Sequence, residues 1–497
     1  MTEASVAGHM SAAGTPGEGE AGPDNTQAMS PSERRLHGDE PGDLQPTFEP
    51  PADEERPPLL QTSDIPGGAT VTIPRAGSSP LQERLATGNA EARAESLRRL
   101  SEWFPGYDFA EAAQTVDSRR FTVLRLGDAL IDHLDGVRSV ERLLFEHHHT
   151  WAMGGITFSH GDVEGHQPPP RFAARSLHRG QGRLEPGGLV RALDERWTTI
   201  INAADLNDPR INEVCTHLSR VYATPVNTNI YISYGPSKGF GAHWDNHDTI
   251  IVPVHGHKNW ALFEPAVLSA ERPWIGPEVS DKPLWEGVIE PGMCLVIPRG
   301  WGHRVDGSED LSIHYTLGVS RLEVHDMIDR VHFEAGFWPM LRGDVPYDVR
   351  EPAISYKGSV FDDPLGFSRT IGEVATPEMV ERAIAAHRSR IWRLQYPSLD
   401  DTFRAVALGD WSGLAIRLNA VAGVMVHAEF DDAVILTFCD RAVRVAAEAV
   451  DAVAALADCA PWRVSDLPTV GGGDEDRREE LARLLVTEGL ATVVAER

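Results

Sequence analysis

Between Leu189 and Val319 the chain runs in short stretches of alternating polar and apolar positions, broken by Gly and Pro. Asn229-Ile230-Tyr231-Ile232-Ser233 alternates at period two, the pattern of a half-buried strand. Asp248 to His255, Asn259 to Phe263, Met293 to Ile297 and Leu311 to Val319 follow as further strands. Such a series predicts a β-sandwich or barrel. The period lengthens toward 3.6 elsewhere. Helices are predicted over Asn89 to Ser101, where Ala90, Ala94 and Leu97 share a face, and over Ser139 to His149, Leu189 to Trp197 and Arg210 to Ala223. Val324–Phe333 and Pro377–Leu394 also read as helical. Near the end, Ala433 to Leu436 and Ala442 to Val445 form a strand pair. Helices over Ala447–Leu456 and Asp476–Glu488 and a closing strand, Ala491 to Val494, complete a mix that resembles a winged helix.

These elements divide the chain into an α+β arrangement of five parts. Residues 1–80 read as a disordered acidic tail, with 12 Pro and 13 acidic against 4 basic residues, too poor in apolar positions to offset ordering entropy. Residues 81–188 form an N-terminal helical and irregular part of the core, 189–320 the β-rich core, 321–430 a helical segment and 431–497 the winged-helix-like part. The start lacks the basic and apolar regions of a secretory signal, and no apolar run approaches the roughly 18 residues of a membrane helix. Four scattered cysteines, Cys215, Cys294, Cys439 and Cys459, suit reduced thiols in a cytoplasmic protein. A formal charge of −28 repels nucleic acid and anionic membranes on average and attracts basic proteins. Residues 431–497, with 14 acidic and 7 basic side chains, suit contact with protein rather than phosphate.

Candidate chemistry centres on His243-Trp244-Asp245 and on His303, sixty residues after His243. Two histidines and a carboxylate on one face of a metal leave positions open for substrate and O₂. Residues i and i+2 of a strand point to the same side, so His243 and Asp245 can both aim into a barrel. The His-x-Asp pattern alone is weak, for it also occurs at His37/Asp39, His133/Asp135 and His160/Asp162. Context separates them. The pair at 243/245 lies between strands, follows the Gly-rich approach Gly235 to Gly241, and precedes a lone cation, Lys258. It also has the turn Pro298-Arg299-Gly300-Trp301-Gly302 leading to His303 at barrel-crossing distance. The run His147-His148-His149 reads instead as a solvated helix end, because neighbours on a helix diverge by about 100°. Ser312, His314 and Thr316 share a face that either lines a ligand cavity or meets solvent. Pro253, inside Val252-Pro253-Val254-His255, predicts a bulged or an edge strand. Trp244, Trp260 and Trp301 read as packing residues.

Asn229-Ile230-Tyr231, Gly239 through Asp245, Gly256-His257-Lys258-Asn259-Trp260 and Ile297 through His303, in this order and spacing, resemble the JmjC-type cupin oxygenases of the ribosomal oxygenase group. The resemblance covers about Leu189 to Ser320 and implies a double-stranded β-helix (cupin/JmjC) core, followed by a helical dimerisation segment and a C-terminal winged helix. It implies an Fe(II)- and 2-oxoglutarate-dependent dioxygenase that hydroxylates a protein side chain. His243, Asp245 and His303 would hold the metal, although Mn or Zn would also accept that set. Lys258 would pair with the distal carboxylate of 2-oxoglutarate, unless it is an exposed turn lysine. Asn229 and Tyr231 fall where the family contacts this co-substrate, with Ser312 and Thr316 as further candidates. The expected partner is a protein or peptide, such as a basic ribosomal protein, with no direct DNA or membrane contact and with a homodimer as the assembly. Three alternatives remain: the same chemistry on a biosynthetic peptide or small molecule, a metal-binding cupin scaffold without turnover, and a DNA-binding regulator.

Overall fold

A computed structural model describes residues 79–114, 120–147, 155–160, 173–175, 182–236, 241–266, 279–321, 409–419, 424–438, 441–471 and 475–494, with short pieces between 323 and 380. The first helix, α1 (Pro80–Trp103), begins well before the predicted Asn89. Ser79 caps it, its Oγ accepting the Gln82 N–H at 3.1 Å, and Pro80 supplies a preset φ at the first turn. There follow α2 (Phe109–Gln114), β1 (Thr122–Arg125), α3 (Asp128–Leu134), α4 (Gly136–His147) and β2 (Ile156–Ser159). A small hairpin, β3 (Ala173–Arg175) with β4 (Gly182–Leu184), precedes α5 (Pro186–Asp194), β5 (Thr198–Ile201) and α6 (Pro209–Tyr222).

Eight strands then form the barrel: β6 (Val226–Tyr234), β7 (His243–Trp244), β8 (Asp248–His255), β9 (Lys258–Pro265), β10 (Trp285–Ile289), β11 (Met293–Ile297), β12 (Trp301–Gly307) and β13 (Leu311–Val319). The chain passes back and forth between two antiparallel sheets. One has the order β1-β11-β8-β13-β6-β5-β2 and the other β10-β9-β12-β7. Ile251, Leu295 and Ile297 of the larger sheet meet Trp260, Leu262, Ile289 and Trp301 of the smaller in one core, so the sheets face each other as a double-stranded β-helix. The packing role read for Trp260 and Trp301 agrees with this, and Trp244 is buried as well. The outer face of the larger sheet buries Ile230, Ile232, Tyr315 and Leu317 against Leu100, Trp103, Leu130 and Leu218 of the helices.

The structure resolves the alternatives at Pro253. β8 lies between β11 and β13, so it is not an edge; the pairing slips instead, with Ile313 opposite His255 and His314 opposite Pro253. Val254 is the extra residue of a bulge, the other place a ladder tolerates proline. The larger sheet also recruits β1, β2 and β5, so strands of residues 122–201 complete the barrel wall. A core boundary at Leu189 therefore cuts through one sheet.

Beyond the barrel, two short strands, β14 (Tyr347–Asp348) and β15 (Ser355–Tyr356), pair with each other. The helices predicted over Val324–Phe333 and Pro377–Leu394 lie outside the described residues, apart from isolated positions, as do residues 1–78 and most of His160 to Arg183. The C-terminal part comprises β16 (Ala415–Leu418), β17 (Met425–Glu429), β18 (Ala433–Phe438), β19 (Arg441–Ala446), α7 (Val450–Ala455), β20 (Trp462–Arg463), α8 (Glu475–Thr487) and β21 (Ala491–Val494). β18 and β19 pair as predicted, but β17 joins them, and the closing β21 pairs with β16 rather than with that hairpin. One core holds Trp411, Ile416, Leu436, Val453 and Leu485 together with Leu81 and Leu85 of α1, so this unit reaches back past residue 431.

Candidate functional site

Three side chains converge where β7 pairs with β12 and His303 stands directly opposite His243. The donor atoms of His243, Asp245 and His303 all lie within 4.8 Å of one another. His303 Nε2 is 3.5 Å from Asp245 Oδ2, and the two imidazole centroids are 4.3 Å apart. Each ring is steered by its other nitrogen. His243 Nδ1 lies 2.8 Å from the Gly241 carbonyl and His303 Nδ1 3.2 Å from the Trp301 carbonyl. An Nδ1–H donated to a carbonyl leaves Nε2 with its lone pair, the tautomer a metal requires.

Burial, reinforced by His243, pushes the His303 pKa down to about 4 against the opposing pull of Asp245, so the ring is neutral near pH 7. Burial raises the Asp245 pKa, but His247, His303 and His243 and the Thr249 hydroxyl, 3.2 Å from Oδ2, outweigh it and hold the carboxyl below its ordinary range. Two imidazoles and one carboxylate, converging and pre-oriented, suit a divalent transition metal with open positions.

A second group of polar residues lies on the β6–β13 pair and on β9. Register places Ser312 opposite Ser233, His314 opposite Tyr231 and Thr316 opposite Asn229, so all six share one face of the β6–β13 pair. The opposite face is the apolar one already described, which settles the question for Ser312, His314 and Thr316: they point into the barrel and not to solvent. Tyr231 stacks flat on His314 with centroids 5.1 Å apart and planes 5° from parallel. Asn229 Oδ1 accepts the Ala203 N–H at 3.1 Å.

Lys258 is buried at 7% exposure, against the exposed-turn alternative, and its Nζ donates to Ser233 Oγ at 2.9 Å. Among the described residues no carboxylate forms an ion pair with it. Burial alone brings its pKa down to about 7. An ammonium with three donors in such a place calls for an anion. Lys258, Ser312, His314 and Trp260 line a common small pocket.

Sequence reasoning missed Asp248, Arg299 and Arg321, which form a largely buried polar cluster at the turn before β12. Asp248 opens a strand and reads as an ordinary strand-start acid; its partner is 73 residues away and leaves no local signal. His133 and His160 stand apart from the triad. His133 Nε2 meets the Arg210 carbonyl at 3.0 Å, and His160 lies against Trp197. Cys215 and Cys294 are buried free thiols and Cys459 is partly exposed, while Cys439 lies outside the described residues.

Comparison with known proteins agrees with this geometry. Residues 202–327 match the family described as a JmjC domain. The bifunctional lysine-specific demethylase and histidyl-hydroxylase NO66 of Caenorhabditis elegans is 30% identical over 158 residues, covering 30% of this chain and 21% of that protein. The protein of the same name from Drosophila melanogaster is 24% identical over 253 residues, 49% of this chain and 37% of its own length. The chain thus spans well under half of these relatives. The ribosomal oxygenase YcfD of Escherichia coli, solved with cobalt and 2-oxoglutarate, superimposes with a TM-score of 0.45 and 16% identity over 79% of this chain and all of its own. Over residues 202–327 this chain is thus similar to the JmjC domain, and its similarity to the two proteins named NO66 is confined to part of their length.

Proposed function

We propose that the chain is an Fe(II)- and 2-oxoglutarate-dependent oxygenase that hydroxylates a side chain of a protein substrate. The observation that carries this is the presence in one barrel of a converged His₂Asp set and a buried lysine with no carboxylate ion pair among the described residues. His243, Asp245 and His303 hold the metal. Lys258 binds the distal carboxylate of 2-oxoglutarate, with Ser233 fixing its ammonium. Asn229, Tyr231, Ser312 and Thr316 line the co-substrate chamber and orient it, and His314, neutral by burial, keeps Tyr231 in place.

When bound, iron and 2-oxoglutarate supply the oxidative decarboxylation of the co-substrate that delivers one oxygen atom of O₂ to a C–H bond. The protein's part is alignment and dryness. Trp260 and Leu262 belong to the apolar core between the two sheets, and the two steered imidazoles keep Nε2 free for a metal.

The substrate proposed is a basic partner, such as a ribosomal protein, met by the acidic surface. No helix among the described residues is long and apolar enough to cross a membrane, and the proposed site of action is the cytoplasm. The proposed parts are a catalytic core that includes residues 189–320, a helical segment 321–430 that forms a homodimer, and a winged-helix-like C-terminal unit that touches protein and not DNA. The test is succinate release from 2-oxoglutarate with Fe(II), O₂ and a ribosomal-protein extract. Turnover that rises with extract and vanishes in His243→Ala is expected, and peptides gaining one oxygen then identify the substrate. Mutant-sensitive turnover indifferent to extract would move the substrate to a peptide or small molecule. No turnover would leave a binding protein.

A further inference from the structure

We infer that Asp248 is a positioning residue that sets the separation between the His243/Asp245 pair and His303, by clamping the turn that delivers His303. This rests on the metal-centre reading above. The turn Pro298-Arg299-Gly300 joins β11 to β12 and is tied to the 245–248 segment at two points. The Gly300 N–H donates to the Asp245 carbonyl at 2.8 Å, and the Arg299 N–H donates to Asp248 Oδ1 at 2.9 Å. Gly300 makes the first bond at φ +81°, a backbone state that a side chain would strain.

Asp248 is itself immobilised. Its Oδ2 accepts Arg321 Nε at 2.8 Å and Nη2 at 2.5 Å, and its side chain is only 6% exposed. Arg321 has no freedom to follow a moving carboxylate. Its Nη2 and Nη1 also donate to the Ala112 and Ala113 carbonyls of α2, at 2.9 and 3.3 Å, and its guanidinium lies 4.6 Å over the Tyr222 ring. The Arg299 guanidinium pairs with Glu323 just beyond Arg321. The Arg299 end of the turn is therefore referred, through Asp248 and Arg321, to α2 in the helical layer.

A forked guanidinium on a buried carboxylate permits essentially one arrangement. His303 lies four residues after Arg299, and its Nε2 is 3.5 Å from Asp245 Oδ2. A slip of the turn by an ångström would spread the donor set beyond a single ion. The same ion pair could instead serve stability alone, and the two roles separate experimentally. A stability role lowers melting temperature and leaves metal affinity intact; a positioning role changes the metal centre of a folded protein.

The probe is Co(II), titrated into the full chain and followed by its visible ligand-field bands alongside thermal unfolding. Arg142→Gln, which breaks the pair of the half-exposed Arg142 with the buried Asp208 elsewhere, reports what loss of an ion pair does to stability alone. Asp248→Asn is expected to weaken Co(II) binding by about 10–100-fold, the range seen for groups that orient metal ligands, and to shift the bands, while Arg142→Gln shifts neither. Wild-type affinity and bands in folded Asp248→Asn would overturn the inference. Should that variant fail to fold, Arg321→Lys keeps the charge and loses the fork, and the same two outcomes decide. A wild-type chain that binds no Co(II), or binds it equally after His243→Ala, would overturn the metal reading and this inference with it.

Discussion

Lys258 enters the cup with no carboxylate partner among the described residues, and its ammonium, pushed down to a pKa of about 7 by burial, is half neutral near pH 7 in the free protein. A bound dicarboxylate supplies the missing counter-charge and favours the protonated form. Above pH 7, binding 2-oxoglutarate must therefore take up a proton, and affinity should fall as pH rises toward 9, by up to about tenfold per unit. Calorimetry at pH 8 in phosphate and in Tris should give different heats that correspond to an uptake approaching one proton, and at pH 6 the difference should vanish. His255 and His257 line the same cavity, so Lys258→Ala is the needed control. It should abolish the uptake and steeply raise the co-substrate requirement. His314 stays neutral throughout, held well below its ordinary pKa by burial and then by Lys258. The sign for folding is the opposite of that for binding. The native lysine's pKa lies below its unfolded value, so the ligand-free fold gains stability as pH rises from about 7, where the unfolded chain keeps a proton the native one has lost. Heats at pH 8 that do not depend on buffer would take Lys258 out of the binding event.

Among the elements, α1 has the widest reach, because Leu81 and Leu85 pack into the C-terminal core while Leu100 and Trp103 pack behind the barrel. Gln82 adds a bond between these layers, its Oε1 accepting the Val426 N–H of β17 at 2.8 Å. Where α1 crosses the C-terminal unit it carries Gly88, and a Cβ there would stand 1.7 Å from the Ala457 carbonyl oxygen. Gly→Ala inside a helix ordinarily gains about 0.5–1 kcal/mol. Gly88→Ala should do the reverse and cost about 1–3 kcal/mol by overpacking, lowering the melting temperature. Gly187→Ala, in α5 with open space around its Cβ, should not. Equal melting temperatures for the two variants would refute the close approach.

This long-range pairing shows what the sequence could not display. Met293–Ile297 and Leu311–Val319 were legible end to end, since alternation or a short apolar run bounded by Gly and Pro is a local signal. His243 and Asp245 were legible for the same reason, and Pro253 announced the bulge of β8. Ile156–Ser159 and Thr198–Ile201 are buried on both faces and carry no period, so their place in the larger sheet was hidden. Leu81 meets Ile416 and Leu485 across more than 300 residues, and Asp248 meets Arg321 across 73; neither partnership leaves a mark in a short window.

Over the whole molecule, 74 acidic residues stand against 46 basic ones, far beyond what the internal ion pairs consume. At about 0.1 M salt the Debye length is roughly 10 Å, so these surface charges act on an approaching protein and hardly on chemistry inside the cup. Lys258 and His303 are buried in contact with their own neighbours, where salt screens far less. Encounter and turnover should consequently separate by salt. With a basic protein substrate, kcat/KM should fall steeply as KCl rises from about 50 to 300 mM, since steering of this kind contributes about 10–10³-fold to association rates. Substrate-free turnover of 2-oxoglutarate, read as succinate over the same series, should change far less, because in the proposed function the co-substrate meets Lys258, which is buried. A kcat/KM for protein that is flat in salt would mean that recognition rests on short-range contacts at the mouth of the cup. The acidic surface would then have no part in choosing the substrate, and an uncharged peptide or small molecule would become the better candidate.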